Sequence, residues 1–301
     1  MKLIDSHVHL EVLENIDFAL ENAKEAEVGT IITIGTSIES SKKAIEIAKK
    51  YSAPRSCHPH RSEDLIENGF PIRSGMTGKN NLKIYASVGI HPQDGKDEVE
   101  KLGLQNCMAE LKMILKQVQN DKVVVAIGEC GLDYYLDNEK RISTVDKDKE
   151  FQRKLFLAQV ELSQELNLPL IIHCRNAWED LFRLLSIDDR RSTPKGVFHS
   201  FTGDWQTAKQ ALDLGFYISF SGIVTFKNAK DIQEAAKEVP PNRILVETDS
   251  PFLAPEPVRG SKNEPKNVKL IAEFIANLKN ISPTDFSFQT YKNSVELFKL
   301  G

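Results

Sequence analysis

The chain has 301 residues and a net charge of −4, with 41% hydrophobic and 27% charged residues. This composition is ordinary for a globular protein, and the slight acidity argues against a chain that binds nucleic acid through bulk positive charge. The sequence has no apolar run near the roughly 20 residues that cross a bilayer and no signal-peptide pattern at its start, so we expect a cytoplasmic protein.

In chain order, short apolar runs rich in β-branched residues alternate with helical patterns eight times. The strands are predicted at Lys2–Ser6, Thr30–Ile34, Ile84–Val88, Val123–Ile127, Leu170–His173, Gly196–His199, Phe216–Phe220 and Ile244–Glu247. The helices are predicted at Phe18–Ala26, Ser40–Lys50, Met108–Val118, Glu150–Leu166, Ala177–Leu185, Trp205–Leu214, Ala229–Glu238, Val268–Leu278 and Phe286–Leu300. Such units are typical of an α/β protein with a closed parallel barrel, the TIM (β/α)8 fold. The alternative is a doubly wound open sheet.

One segment interrupts the alternation. Residues 52–81 are rich in Pro, Gly, Ser and Arg and have no sustained period, so we predict an inserted surface loop between the second helix and the third strand. Its Cys57, His58 and His60 are interpreted as incidental loop residues, not as a metal site. We therefore predict a single domain over residues 1–301 that carries this insertion.

Residues that commonly bind metal ions stand in or just beyond five of the predicted strands. They are His7, His9, Glu129, His173, His199 and Asp249. Because side chains at i and i+2 of a strand share a face, His7 and His9 can bind one ion together. Clusters at the C-terminal ends of barrel strands meet at one mouth, whereas an open sheet would collect its ligands at one switch point. The sequence therefore predicts a hydrolytic metal centre.

Two carboxylates have candidate roles in catalysis. Glu129 can bridge two cations, and Asp249 can bind a cation and accept a proton from water whose pKa the metal lowers. Glu247, two residues before Asp249, is a candidate to orient a histidine or Arg175 from behind. The alternative interpretations are structural: the histidines are buried and hydrogen-bonded, and Glu129 caps a helix or pairs with Arg175.

The motifs DSHVHL, GIHP, GECGLDYY, IIHCR, FHSF and ETDSPFLAP, in this order, resemble those of the TatD family of metal-dependent deoxyribonucleases. The resemblance covers nearly the whole chain. It implies a TIM-type barrel with two divalent ions, for which zinc, manganese, nickel and magnesium are all candidates. By motif position, His7, His9 and Asp249 would bind one ion, His173 and His199 the other, and Glu129 both. Residues 52–81 depart from the family pattern.

Candidate substrate contacts surround this predicted centre. They are His91, Arg175, Lys227 and Arg259, with Tyr134 and Tyr135 as residues that either stack on a base or pack over the barrel end. The resemblance implies DNA as the substrate, with trimming of single-stranded ends. Two rivals remain open: the same centre could hydrolyse an amide, lactone or carboxylic ester, or the barrel could be a metal-binding scaffold without activity.

Overall fold

The computed structural model describes residues 3–52, 82–135, 145–186 and 194–301. Eight parallel strands lie side by side in chain order, each paired with the next. They are β1 Leu3–Val8, β2 Val28–Thr33, β3 Lys83–Val88, β4 Val124–Asp133, β5 Leu170–Arg175, β6 Gly196–Phe198, β7 Tyr217–Phe220 and β8 Ile244–Val246. The predicted (β/α)8 barrel is thereby confirmed, and the open sheet is excluded because its strand order would double back.

Helices follow the strands around the outside of the barrel. In the described part of the chain they are α1 Ile16–Glu25, α2 Ile38–Ser52, α3 Lys96–Leu102, α4 Leu104–Val118, α5 Val145–Leu166, α6 Trp178–Leu185, α7 Trp205–Asp213, α8 Lys230–Glu238, α9 Val268–Leu278 and α10 Pro283–Phe298. The prediction missed α3. Ser52 ends α2, and the rest of the predicted insertion, with Cys57, His58 and His60, lies outside the described residues. None of the described helices has both the length and the apolarity needed to cross a membrane.

Local chemistry sets several helix starts. The side chains of Asn15, Asp204 and Ser282 accept backbone N–H groups of the first turns of α1, α7 and α10 at 3.0, 2.8 and 3.1 Å. Such caps satisfy donors that the helix itself cannot pair. The strands of β1 and β2 are buried along their whole length, as expected for parallel strands covered by helices.

The barrel closes between β8 and β1 at their C-terminal ends. The backbone N–H of His9 donates to the Ser250 carbonyl at 2.9 Å, and that of Asp249 donates to the His7 carbonyl at 2.9 Å. At the opposite end, the side-chain amide of Asn293 on α10 donates to the Ile244 carbonyl at 2.7 Å. The helix α10 therefore covers the N-terminal ends of the strands, and the C-terminal ends remain available for a site.

Candidate metal centre

The predicted ligands of the first ion meet above β1. The Nε2 atoms of His7 and His9 lie 3.3 Å apart. Asp249 Oδ1 is 3.6 Å from the first and 3.3 Å from the second. Glu129 Oε2 approaches the same pair, at 3.3 Å from His7 Nε2 and 3.8 Å from His9 Nε2.

The predicted ligands of the second ion meet on the other side of Glu129. His173 Nδ1 and His199 Nε2 lie 3.2 Å apart. Glu129 Oε1 is 3.0 Å from His173 Nδ1 and 2.8 Å from His199 Nε2. One carboxylate thus directs one oxygen at each pair of imidazoles, which is the arrangement a bridging ligand requires.

Glu129 reaches this position through an irregularity in β4. The prediction ended this strand at Ile127, but it continues to Asp133, and its register with β5 shifts between Ile127 and Cys130. Such a bulge re-aims a side chain. Gly128 has a φ of +148°, which favours glycine, and a Cβ there would lie 2.5 Å from the carbonyl oxygen of Ile171. The glycine before Glu129 therefore lets β4 bend against β5.

Asp249 lies beyond β8, which ends at Val246, so strand alternation does not set the direction of its side chain. Its φ is +58°, in the left-handed region. Neighbouring contacts hold this turn in place: Asp5 accepts the Thr248 backbone N–H at 2.9 Å and its hydroxyl at 2.6 Å. The Asp5 carboxylate therefore connects β1 to the segment that carries Asp249.

A second carboxylate stands behind each histidine of the second pair. Glu247 Oε1 lies 3.3 Å from His199 Nδ1, and Asp133 Oδ2 lies 3.4 Å from His173 Nε2. Carboxylates in this position fix the ring orientation of metal-binding histidines. Glu247 was predicted for such a role, and Asp133 was not singled out. The spacing could have indicated Asp133: it follows Glu129 by four residues, and side chains at even spacing in one strand share a face.

Electrostatics favour ionised carboxylates in this buried cluster. Burial by itself raises the pKa of Glu129, but the imidazoles of His199 and His91 hold it well below its usual value. Burial opposes protonation of His9, yet its hydrogen bond to Asp249 raises its pKa to about 9. The pKa values of His173 and His199 are raised too, whereas burial lowers those of His7 and His91, so protons on His9, His173 and His199 compensate the negative charge.

The donor set fits divalent metal ions. Among the described residues, three groups bring their ligand atoms within 4.8 Å of one another, and the first two share His7: His7 with His9 and Asp249, His7 with Glu129 and His199, and His91 with Asp133 and His173. Every described ion pair of Glu129 and Asp249 is with a histidine. Imidazole nitrogens mixed with carboxylate oxygens suit zinc, manganese and nickel. The residues present therefore fit the implied ions.

His91 differs from the other histidines in its hydrogen bonds. Its Nδ1 accepts the backbone N–H groups of Gln93 at 3.3 Å and Asp94 at 3.2 Å. A neutral imidazole that accepts at Nδ1 carries its proton on Nε2. The Nε2 atom faces Glu129 Oε1 at 3.6 Å. His91 is therefore placed as a hydrogen-bond donor toward the centre, and a metal would have to displace that proton.

A cavity of about 820 Å³ opens above the centre. His91 and Arg175 line it, together with Glu129, His173 and Asp249. The Arg175 guanidinium lies 3.7 Å from the centre of the Tyr135 ring, and no carboxylate of the described chain lies within 4.0 Å of it. The alternative pairing of Arg175 with Glu129 or Glu247 is therefore not found.

The structure does not bring all the predicted substrate residues to this cavity. Lys227 and Arg259 are exposed and are not among the described residues that line it. The Arg259 guanidinium lies 4.0 Å from the centre of the Phe226 ring and 4.0 Å from Glu256. Tyr134 also points elsewhere, since its hydroxyl donates to Asp180 at 2.8 Å.

Comparison with known proteins identifies the family. A sequence profile described as TatD related DNase matches residues 4–70 and 71–299. The chain belongs to the TatD family. An uncharacterized metal-dependent hydrolase of Buchnera aphidicola subsp. Baizongia pistaciae is 38% identical over 100% of this chain and 97% of its own length. The uncharacterized metal-dependent hydrolase YabD of Bacillus subtilis is 34% identical over 99% of this chain and 100% of its own.

Solved structures agree with the TatD assignment. The chain matches YjjV, a TatD homologue from Escherichia coli K12, with a TM-score of 0.78 at 24% identity over 99% of this chain and 98% of that one. A hydrolase of the TatD family from Entamoeba histolytica matches with a TM-score of 0.77 at 26% identity over the same shares. The resemblance seen in the motifs is confirmed, and the TatD barrel extends over nearly the full chain.

Proposed function

We propose that this TatD-family metal-dependent hydrolase is a deoxyribonuclease that cleaves phosphodiester bonds at single-stranded ends of DNA. The observation that carries the proposal is the position of Glu129, whose two oxygens face two separate pairs of imidazoles on the floor of an open cavity. Phosphodiester hydrolysis commonly uses two cations close together, bridged by such a carboxylate. The family description as a DNase supports the same substrate class.

The implied cations would be held by two sets of residues that share one bridging carboxylate. His7, His9 and Asp249 would form one set, His173 and His199 the other, with Glu129 between them. When bound, such ions supply Lewis-acid chemistry: they neutralise negative charge on a phosphodiester and lower the pKa of water.

The protein's own groups bind the phosphate and accept the proton. The His91 Nε2–H is directed at the centre and donates to a phosphate oxygen. The exposed Arg175 guanidinium, free of any carboxylate partner in the described chain, binds a second oxygen of the substrate. As the water oxygen bonds to phosphorus, Asp249 takes the proton from the water. The P–O bond to the leaving sugar oxygen breaks, and that oxygen takes a proton from solvent. Burial raises the pKa of Asp249, but the hydrogen bond from His9 and the charges of His7, His9 and His199 together lower it, so the carboxylate is ionised.

The test is hydrolysis of an end-labelled single-stranded oligodeoxynucleotide by metal-stripped protein, with Mg²⁺, Mn²⁺, Ni²⁺ or Zn²⁺ restored one at a time. We expect metal-dependent shortening by the wild type, none by Glu129→Gln, and wild-type activity in Glu39→Gln, which removes an exposed carboxylate on α2. We expect Arg175→Ala to raise KM, while Arg183→Ala, an exposed arginine on α6, does not.

The same experiment separates the rival functions. If no metal supports shortening of DNA but metal-loaded protein hydrolyses amide, lactone or carboxylic ester substrates, the barrel acts on small molecules. If stoichiometric metal binds and none of these substrates is hydrolysed, the chain is a metal-binding scaffold. Either result would refute the deoxyribonuclease.

A further inference from the structure

Three large apolar side chains are exposed around the candidate metal centre. Phe252 is 54% exposed, Val12 52% and Tyr135 46%, and all three line the cavity above the ligands. Most other large apolar side chains of the described chain are buried in its core. Exposed apolar surface gathered in one concave place commonly marks a binding site.

The exposure of Phe252 is fixed by its backbone. Its N–H donates to the Asp249 carbonyl at 2.8 Å, and its carbonyl accepts the side-chain amide of the buried Asn263 at 2.7 Å. Its ring meets the His9 ring edge to face, with 5.8 Å between the centroids. The segment after β8 therefore fixes the position of the Phe252 ring relative to Asp249, a predicted metal ligand.

A second flat surface lies across the barrel. Arg175 ends β5, and its guanidinium stacks on Tyr135, which follows β4. Phe252 and Val12 follow β8 and β1. In a ring of eight strands in chain order, the β4–β5 pair stands opposite the β8–β1 pair. The predicted metal ligands thus form the floor between an apolar wall and a wall with positive charge.

We propose that Phe252 and Val12 form a nucleobase subsite of this site, an inference that rests on the proposed nuclease function. One base of the substrate stacks on the Phe252 ring beside Val12, while its phosphate occupies the floor. The adjacent nucleotide packs against the Arg175–Tyr135 pair on the opposite wall. A base can stack on a protein ring only when it is out of the duplex stack, so the two walls select an unpaired strand.

The experiment combines a protein variant with a substrate that lacks the base. Cleavage of a labelled single-stranded oligodeoxynucleotide is measured for the wild type, Phe252→Ala and Phe252→Tyr. One substrate is a strand that carries all its bases. In the two others, a tetrahydrofuran residue, which lacks a base, replaces the nucleotide on one or the other side of the cleaved bond. Phe288→Ala is the matched control, because Phe288 is also exposed, at 46%, but lines a cavity with Lys83 and Tyr85 at the opposite end of the barrel.

Stacking of one base corresponds to about 5- to 150-fold in affinity. We expect Phe252→Ala to lower kcat/KM on the based strand by a factor in this range, mainly through KM, and Phe252→Tyr and Phe288→Ala to behave as the wild type. On one of the two baseless strands, Phe252→Ala should have almost no further effect, because the partner of the ring is already missing.

Two results would overturn the subsite while leaving the nuclease intact. One is an unchanged KM in Phe252→Ala. The other is an equal loss in Phe252→Ala on all three strands, which would indicate a general effect on the centre. If the wild type cleaves none of the strands with any metal, the proposed nuclease function and this subsite fall together.

Discussion

The first prediction concerns Glu247, which contacts the predicted ligand His199 but is not itself a predicted ligand. It is 1% exposed, its Oε1 lies 3.3 Å from His199 Nδ1, and the same oxygen accepts the Ser200 backbone N–H at 2.6 Å. Its Oε2 accepts the Ser6 hydroxyl at 3.5 Å. The substitution Glu247→Ala removes both oxygens and leaves every predicted metal ligand in the sequence.

Two effects of Glu247→Ala can be separated. The Ser200 N–H loses its acceptor, which costs about 1–3 kcal/mol in the free energy of unfolding. The His199 ring loses the group that orients it, and loss of such a partner lowers metal affinity or activity by about 10- to 100-fold. That range corresponds to about 1.4–2.8 kcal/mol in binding free energy. The variant should therefore fold, bind the second ion weakly and regain activity at high metal concentration.

Metal titration by calorimetry, with urea unfolding of the metal-free protein, distinguishes the two effects. Ser6→Ala is the control, since it removes the donor to Oε2, together with the Ser6 hydrogen bonds to Val246 and Ser219, and leaves the His199 side of Glu247 intact. We expect its metal affinity to match that of the wild type. If Glu247→Ala binds both ions with wild-type affinity, Glu247 does not position His199, and the reasoning from its geometry is wrong.

Three further predictions concern other parts of the site. His91→Phe should lower kcat/KM on DNA by about 10- to 150-fold at unchanged metal content, because a hydrogen bond to a charged group is lost, and His91→Gln should recover part of it. The pKa of His9 is raised from its usual 6.5 to about 9, so its contribution to the stability of the metal-free protein is full below pH 6.5 and is lost as pH rises toward 9. The melting temperature of metal-free protein should fall over that interval, whereas a flat profile would show that His9 is neutral throughout. Asn263→Ala should cost about 2–5 kcal/mol in urea unfolding, since it leaves without a donor one buried and one partly buried carbonyl, which the amide satisfies at 2.8 and 2.7 Å; a loss below 1 kcal/mol would indicate that water replaces the amide.

The barrel was predictable because its signal is local. Most strands are short apolar runs that are buried on both faces, and most helices have an apolar stripe. The periodicity of the sequence therefore predicts all eight strand–helix units. The meeting of the predicted ligands at one place was predictable for a related reason: in parallel barrels, the C-terminal ends of all strands share one mouth. Errors of one to six residues at strand ends, as at β4, did not move any ligand to another end of the barrel.

What the sequence did not reveal depends on contacts between distant segments. The bulge at Glu129 arises where β4 meets β5, and the left-handed turn at Asp249 is held by Asp5, 244 positions earlier in the chain. Lys227 and Arg259 were predicted as substrate contacts, but both are exposed outside the cavity, and the Arg259 side chain lies against Phe226 and Glu256. Loop direction has no periodic signal, so the positions of side chains on loops were harder to predict than those at strand ends.

The floor of the cavity and its walls differ in charge. Around the four ligand histidines stand the carboxylates of Glu129, Asp249, Glu247 and Asp133, and within the described chain these acids have no lysine or arginine partner. Such a floor attracts cations and repels an anionic strand until the cations are in place. Among the described residues that line the cavity, Arg175 is the one lysine or arginine, and its guanidinium lies on the wall against Tyr135, away from the predicted ligands. The floor therefore carries the residues expected of a metal-dependent hydrolase, while the proposed choice of substrate depends on the walls above it.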